Sequence, residues 1–250
     1  MRALPADRGD VHFSEGARAA ALLMQMEIAS DRSLLVRFGE SATRECFRAV
    51  ATFFHELRSL ADARIRNIHP AYASVLIDFD PLRMSHEELA EIAEELLSRK
   101  SGSVPASRVV EIPVCYGGEF GMDLSFVAEH AGLSAEEVIR LHSVTRYLVH
   151  FLGFSPGFGY LGGLPKQLEC PRLESPRKTV RAGSVGIAGK QTGVYPVDSP
   201  GGWRIIGRTP LRMFDPLRDT PTRLEPGDTV QFLPIDAEAF REIARAESAQ

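Results

Sequence analysis

The chain has 250 residues, of which 44% are hydrophobic and 25% charged, with a formal net charge of -4. These proportions are ordinary for globular proteins and exclude a disordered, collagen-like or disulfide-scaffold protein. The basic residues are scattered rather than gathered on one stretch, which argues against a nucleic-acid partner. The length predicts two domains of ordinary size.

Residues 1–26 carry unpatterned charges, and we predict a disordered extension or a mis-assigned start there. From Ser33 onward the apolar residues recur regularly, so residues 27–98 are predicted to form the first domain. A Ser85/Glu88 capping box marks the start of its second helix. The predicted elements are a strand at 33–38, a helix at 41–60, strands at 64–68 and 72–79, a helix to about 98, and a strand at 109–114. This order is that of a ferredoxin-like α/β sandwich.

A polar, breaker-rich stretch at residues 99–107 predicts a linker before a second domain at 108–250. Two short helices lead into a long stretch dense in Gly, Pro and short β-type runs. A strand at 229–233 and a helix from Asp236 follow. We therefore predict a β-barrel or compact β-sandwich, and an α+β fold class for the whole chain.

The cysteine and hydropathy patterns predict a cytoplasmic protein. Cys46, Cys115 and Cys170 lie far apart and form neither a metal-binding pair nor a disulfide framework. The N-terminal residues lack the pattern of a signal peptide. No run reaches the roughly 18 apolar residues of a membrane-spanning helix, so no membrane partner is expected.

Three short motifs resemble catalytic or nucleotide-binding signatures, but the residues in or beside each motif exclude that function. The GxSxG match at 153–157 has Pro156 after the serine, which cannot supply the backbone N-H of an oxyanion hole. The GxGxxG match at 157–162 is followed by Gly163 and Pro165, where a nucleotide-binding fingerprint requires a helix. The Walker-like stretch ending at Lys190 lacks the first glycine and the magnesium-binding hydroxyl. The histidines form no HxH or HExxH pattern, so no metal site is predicted.

These stretches nevertheless belong to one long signature. It comprises His142-Ser143, Gly153-Phe-Ser-Pro-Gly-Phe158, Tyr160-Leu-Gly-Gly163, Pro171-Arg172, Ser175-Pro-Arg177, Ala182 to Gly189, Gln191 to Pro196, and Ser199 to Pro210. This signature resembles the KipI family, also known as the 5-oxoprolinase B subunit family or allophanate hydrolase subunit 1. The resemblance covers roughly residues 30–235.

The resemblance implies an N-terminal α/β domain and a C-terminal cyclophilin-like β-barrel. It also implies an ATP-hydrolysing 5-oxoprolinase, a hydrolase acting on a cyclic amide, in which this chain works with the A and C subunits and is inactive alone. ATP, with Mg, is expected in a site that is shared with a partner subunit or located in it. The alternatives are a KipI-type inhibitor of a sensor histidine kinase and a subunit of allophanate or urea metabolism.

Opening a lactam with ATP requires positive charge near the phosphate, hydrogen-bond donors and a proton carrier. We therefore predict catalytic roles for His142, Gln191 and Tyr195. Substrate or phosphate binding is assigned to Arg177, Lys190, Thr192 and Arg208. Phe158, Tyr160 and Trp203 are predicted to form the wall of a pocket or interface, with barrel core as the alternative.

Overall fold

The structure is a computed structural model that describes residues 24–40, 43–99 and 108–248. The chain divides into two compact units, Met1–Pro105 and Ala106–Gln250. Most of the predicted linker and nearly all of the predicted N-terminal extension lie outside the described residues. The first strand begins at Gln25, so residues 25 and 26 belong to a sheet and not to an extension.

The first unit contains one antiparallel sheet with helices packed against it. The strands are β1 (Gln25–Ser30), β2 (Ser33–Arg37), β3 (Ile65–Pro70) and β4 (Ser74–Phe79). Their order across the sheet is β1-β2-β4-β3. Alternate residues of β4, namely Val75, Ile77 and Phe79, are buried, as expected of a strand with one face on the core.

Two capped amphipathic helices supply the rest of this core. In α1 (Arg44–Ser59) the side chain of Thr43 accepts a hydrogen bond from the backbone N-H of Cys46. In α2 (His86–Ser98) Ser85 and Glu88 form the predicted capping box. Such caps satisfy backbone donors that the first helical turn leaves free.

The predicted ferredoxin-like sandwich is not confirmed, because its last strand was wrongly assigned. The run at 109–114 forms part of a strand in the second unit instead. The place beside β2 is taken by β1, which pairs with it in antiparallel register. An apolar β-type run indicates a strand but not the strand with which it pairs.

The second unit is a closed seven-stranded barrel with helices, which confirms the predicted barrel. Its order is β10-β7-β6-β13-β5-β12-β9. In chain order the elements are β5 (Val109–Tyr116), α3 (Leu124–Ala131), α4 (Ala135–Val144), β6 (Arg146–Leu152), β7 (Gly159–Gly162), β8 (Arg177–Val180), β9 (Ser184–Ala188), β10 (Gln191–Val194), β11 (Ser199–Gly201), β12 (Arg204–Arg208), β13 (Thr229–Ile235) and α5 (Ala237–Ser248).

The barrel is held together by both parallel and antiparallel pairing. Strands β5 and β13 pair in parallel along their length, while the other barrel pairs are antiparallel. Strands β8 and β11 form a separate two-stranded ribbon. One strand of this ribbon, β11, lines a cleft on the second unit.

Candidate functional site

A cleft opens on the second unit where the loop between β6 and β7 meets the segment from β11 to β12. Its volume is about 300 Å³, at the small end of the range for ligand pockets. It is lined by Phe154, Phe158, Tyr160, Arg172, Pro176, Tyr195, Pro200, Gly201, Gly202 and Trp203. Half of these residues are aromatic, so the cleft offers flat apolar walls to a small ligand.

Phe158 lies at the centre of the aromatic wall. Its ring centroid is 5.2 Å from that of Tyr160, 5.5 Å from Tyr195 and 5.3 Å from Trp203, each at a steep angle between the ring planes. Edge-to-face contacts of this kind are the favourable geometry for aromatic pairs. Phe158, Tyr195 and Trp203 are buried within one apolar cluster, so the wall is rigid and belongs to the core as well.

Phe154 forms the rim of the cleft and is the unusual residue in it. Its side chain is 62% exposed, and its backbone has a φ of 67°, in the left-handed region that residues other than glycine seldom adopt. Its ring meets Phe158 edge-on at 5.5 Å. An exposed phenylalanine held in a costly backbone conformation at the mouth of a cleft is a signal of function.

Two glycines leave room for the aromatic side chains of the cleft wall. A Cβ atom at Gly201 would overlap the hydroxyl of Tyr195. A Cβ atom at Gly193 would lie 3.2 Å from the rings of both Phe158 and Trp203. A larger residue at either position would therefore displace the aromatic wall.

The electrostatics of the cleft come from Tyr195 and Arg172. Burial raises the pKa of the Tyr195 phenol, against the opposing effects of a backbone hydrogen bond from Trp203 and the positive charges of Arg172 and Arg177. The phenol therefore remains neutral near pH 7 and can donate a hydrogen bond. Arg172 is exposed and brings a positive charge to the rim.

His142, the predicted proton carrier, lies elsewhere in the barrel and is fully buried. Its Nε2 atom is 2.9 Å from Thr192 Oγ1, and its Nδ1 atom is 2.8 Å from the hydroxyl of Tyr116. The Thr192 hydroxyl donates to the carbonyl of Gly186 at 3.0 Å. Because that hydroxyl has one proton, His142 Nε2 must donate to it, and Nδ1 must accept from Tyr116.

This network keeps His142 neutral and away from solvent. Burial lowers its pKa to about 3. Its ring stacks on Phe232 with the centroids 4.5 Å apart. Both nitrogens are hydrogen-bonded within the barrel and the ring is fully buried, which is the arrangement of a structural histidine.

Arg177 is also held in place by hydrogen bonds within the barrel unit. Its Nη2 atom donates to Asp123 Oδ1 at 2.8 Å, and its Nη1 atom donates to the carbonyl of Trp203 at 3.3 Å. Asp123 accepts a second hydrogen bond from the backbone N-H of Ile205 at 2.7 Å. Arg177 therefore links β8 to the start of α3 and to the residues around β12.

The remaining predicted binding residues lie outside the cleft. Lys190 is exposed in the turn between β9 and β10, and Gln191 begins β10 beside it. Arg208 Nε donates to the carbonyl of Ala182 at 2.9 Å. The predicted set is thus not one site: of the proposed catalytic and binding residues, Tyr195 is the one that lines the cleft.

Sequence reasoning found the wall residues Phe158, Tyr160 and Trp203 but missed Arg172 and Phe154 as site residues. Both belong to stretches that stand out in the sequence, Pro171-Arg172 and the GxSxG match. The charge of Arg172 beside a proline, in a region rich in turns, was the available signal. Nothing in the sequence indicated the left-handed backbone at Phe154.

No group of three or more His, Cys, Asp or Glu side chains within residues 24–40, 43–99 and 108–248 could hold a metal ion. Within the same ranges no helix is both long and apolar enough to cross a bilayer. The rejected nucleotide motifs also lie in strands and turns: the GxGxxG match enters β7, and the Walker-like stretch is the hairpin between β9 and β10.

A family model described as "Carboxyltransferase domain, subdomain C and D" matches residues 24–224. The chain belongs to this family. This carboxyltransferase-domain protein is 41% identical over 245 residues to the B subunit of 5-oxoprolinase from Bacillus subtilis, covering 87% of this chain and 97% of the relative. The Escherichia coli protein of the same name is 56% identical over 152 residues, 59% of this chain and 70% of the relative. These findings confirm the resemblance stated from the sequence.

The carboxyltransferase-domain fold is also present in a larger enzyme. The crystal structure of the Kluyveromyces lactis urea carboxylase matches 90% of this chain and 23% of its own chain, with a TM-score of 0.67 and 20% identity. At that identity the likeness shows a shared fold, and nothing about activity is transferred by it.

Proposed function

We propose that the chain is the B subunit of an ATP-dependent 5-oxoprolinase, which opens 5-oxoproline to glutamate with ATP hydrolysis and works with the A and C subunits. The observation that carries the proposal is the similarity to a 5-oxoprolinase B subunit over 97% of that relative's length. The aromatic cleft supports it, because its size and flat walls suit a small ring.

The chemistry explains why the protein needs partners. Phosphorylation of the amide oxygen by ATP, with ADP leaving, would activate the carbonyl carbon to attack by water. The ring C–N bond then breaks with the nitrogen leaving as the amine, and a second water hydrolyses the resulting acyl phosphate to glutamate and phosphate. The attack by water needs a base, and the phosphoryl transfer needs a cation and a site for ATP. The residues that line the cleft include no histidine and no carboxylate, so we expect the isolated chain to be inactive.

ATP, with Mg, is expected in a partner subunit or at a surface shared with one. A phosphate loop requires a strand, a glycine-rich turn and a helix. The Walker-like stretch at Lys190 is a hairpin turn between two strands, so its geometry does not fit a nucleotide. This chain would then contribute substrate binding, while the phosphoryl donor comes from another subunit.

We place the complex in the cytoplasm. Cys46, Cys115 and Cys170 are all free thiols and all buried. Unpaired cysteines of this kind are usual in a reducing compartment.

The test is to co-express the chain with the subunits encoded beside it, purify the complex and measure glutamate release from 5-oxoproline with and without ATP. We expect activity from the complex with ATP and none from the chain alone. A fully assembled complex that consumes ATP without releasing glutamate would contradict the proposed substrate.

A Gly201→Ala variant ties that activity to the cleft. The added methyl group would collide with the Tyr195 hydroxyl, and we expect activity to fall by about 10-fold or more through misplacement of the wall. Gly132→Ala is the matched control outside the cleft. Gly132 caps the C-terminus of α3, and a Cβ atom there meets no atom within 4 Å. Its φ of 65° is left-handed, so an alanine there should cost about 1 to 2 kcal/mol of stability without touching the cleft.

A further inference from the structure

We infer that Arg172 selects a carboxylate-bearing cyclic amide by binding the carboxylate at the rim of the cleft while the ring lies against the aromatic wall. The inference rests on the proposed function for the identity of the ligand. It adds the residue that determines specificity, one that would distinguish an acidic lactam from a neutral amide such as urea.

The first support is the charge of the lining. Arg172 is the one lining residue that carries a formal charge. Within the described ranges it has no hydrogen bond or ion pair to an acidic side chain, whereas its neighbour Arg177 is paired with Asp123. An unpaired guanidinium beside an apolar wall favours an anionic ligand, and its planar fork matches a carboxylate.

The second support is that the charge of Arg172 acts on a group of the inner wall of the cleft. The positive charge of Arg172 acts on the phenol of Tyr195, where it partly offsets the rise in pKa that burial causes. The guanidinium is therefore close enough to the inner wall to affect a group within the cleft. A ligand that touches Tyr195 would lie in the same field.

The third support is the fit of an uncharged ring. The inner part of the cleft is bounded by the rings of Phe158, Tyr195 and Trp203 and by the side-chain-free positions 201 and 202. A cavity of about 300 Å³ is large enough for a five-membered ring with one substituent and is at the lower limit for organic ligands.

The test uses the intrinsic fluorescence of Trp203, the single tryptophan of the chain, which lies in the wall itself. The full chain is titrated with 5-oxoproline and with 2-pyrrolidinone, the same ring without the carboxylate. The variants are Arg172→Gln, Arg172→Lys and, as control, Lys178→Gln, which removes an exposed positive charge on β8 outside the lining.

We expect 5-oxoproline to change the Trp203 emission, and Arg172→Gln to weaken its binding by about 10-fold or more, the scale of one charge-assisted pair. Arg172→Lys should lose part of that affinity, because an ammonium group cannot form two parallel bonds. Lys178→Gln should bind as the wild type does. Binding of 2-pyrrolidinone should be weak and independent of residue 172.

The same variants are then measured in the assembled complex. Arg172→Gln should raise KM by about 10-fold or more and leave kcat within a few-fold, since the carboxylate is bound equally in the ground and transition states. Equal affinity and equal KM in the wild type and Arg172→Gln would overturn the inference. Equal loss of 5-oxoproline and 2-pyrrolidinone binding would also overturn it, because the carboxylate would then be irrelevant.

The outcomes separate this inference from the proposed function. A chain that binds the acidic lactam through Arg172, within a complex that releases no glutamate, supports the inference and contradicts the proposed reaction. An active complex whose KM does not depend on Arg172 supports the proposed reaction and contradicts the inference. A proline-containing peptide that competes with 5-oxoproline and binds Arg172→Gln unchanged would identify the cleft as a peptide site and overturn the inference.

Discussion

The cleft and the His142 network occupy the same barrel unit, and the sequence presents them alike, as polar and aromatic residues among short strands and glycines. The structure separates them. The cleft around Phe158 opens to solvent and has an unpaired charge at its rim. The network around His142 is closed, with each nitrogen already hydrogen-bonded. Polar character within a barrel therefore does not by itself identify a site, since access to a ligand and unused hydrogen-bonding capacity are also needed.

The largest effect on stability is expected at His142, in the closed hydrogen-bond network. His142→Asn should lower the free energy of unfolding by about 2 to 4 kcal/mol, because it shortens a fully buried side chain and leaves the Thr192 or Tyr116 hydroxyl without its partner. Thermal unfolding of the isolated chain measures this. His130→Asn, at an exposed position, is the control and should stay within about 0.5 kcal/mol. Unchanged melting together with lost activity would restore His142 as a proton carrier.

The pH dependence of stability tests whether His142 is neutral in the folded protein. Burial lowers the pKa of His142 from 6.5 to about 3, so between these values the unfolded chain binds a proton that the folded chain excludes. Stability should therefore be complete above about pH 6.5 and fall as the pH decreases, by about 2 kcal/mol on going to pH 5.

His142→Asn is the control for this measurement, because its unfolding free energy should depend less steeply on pH over that window. Burial also lowers the pKa of His150, so part of the slope should remain in the variant. Equal slopes in both proteins would mean that His142 is protonated in the folded state.

A smaller effect is expected at Arg177, which lies next to the cleft but belongs to its support. Arg177→Gln should cost about 1 to 3 kcal/mol of stability, because the buried carboxylate of Asp123 loses its charged partner. The neighbouring exposed Lys178→Gln serves as the control in chemical denaturation. If Arg177→Gln instead leaves stability intact and raises KM, the residue would have to be reassigned to substrate binding.

The smallest effect is expected at Lys190, which is exposed in a hairpin turn outside the cleft. Lys190→Gln should change stability by less than about 0.5 kcal/mol and leave the KM for 5-oxoproline unchanged in the assembled complex. Steady-state kinetics with ATP and 5-oxoproline varied in turn provides the measurement. A raised KM for ATP alone would show that this hairpin reaches a nucleotide in a partner subunit.

Local signals in the sequence determined the helices and most strands. The Ser85 capping box was predicted and is present, because capping depends on residues three positions apart. The barrel could be predicted because short strands with glycines leave few other ways to bury an apolar face. The final strand of the first domain was misplaced because strand pairing is decided by residues far away in the sequence.

The sequence by itself determined the family, the number of units and three aromatic residues of the wall, Phe158, Tyr160 and Trp203, since each depends on residue identity and local spacing. The tertiary structure alone decided which polar residues face the cleft. Whether His142 carries a proton or supports the barrel depends on Tyr116 and Thr192, which are 26 and 50 positions away. Arg172 and Arg177 look equivalent in the sequence, but in the structure Arg177 is paired with Asp123 whereas Arg172 is exposed at the rim of the cleft.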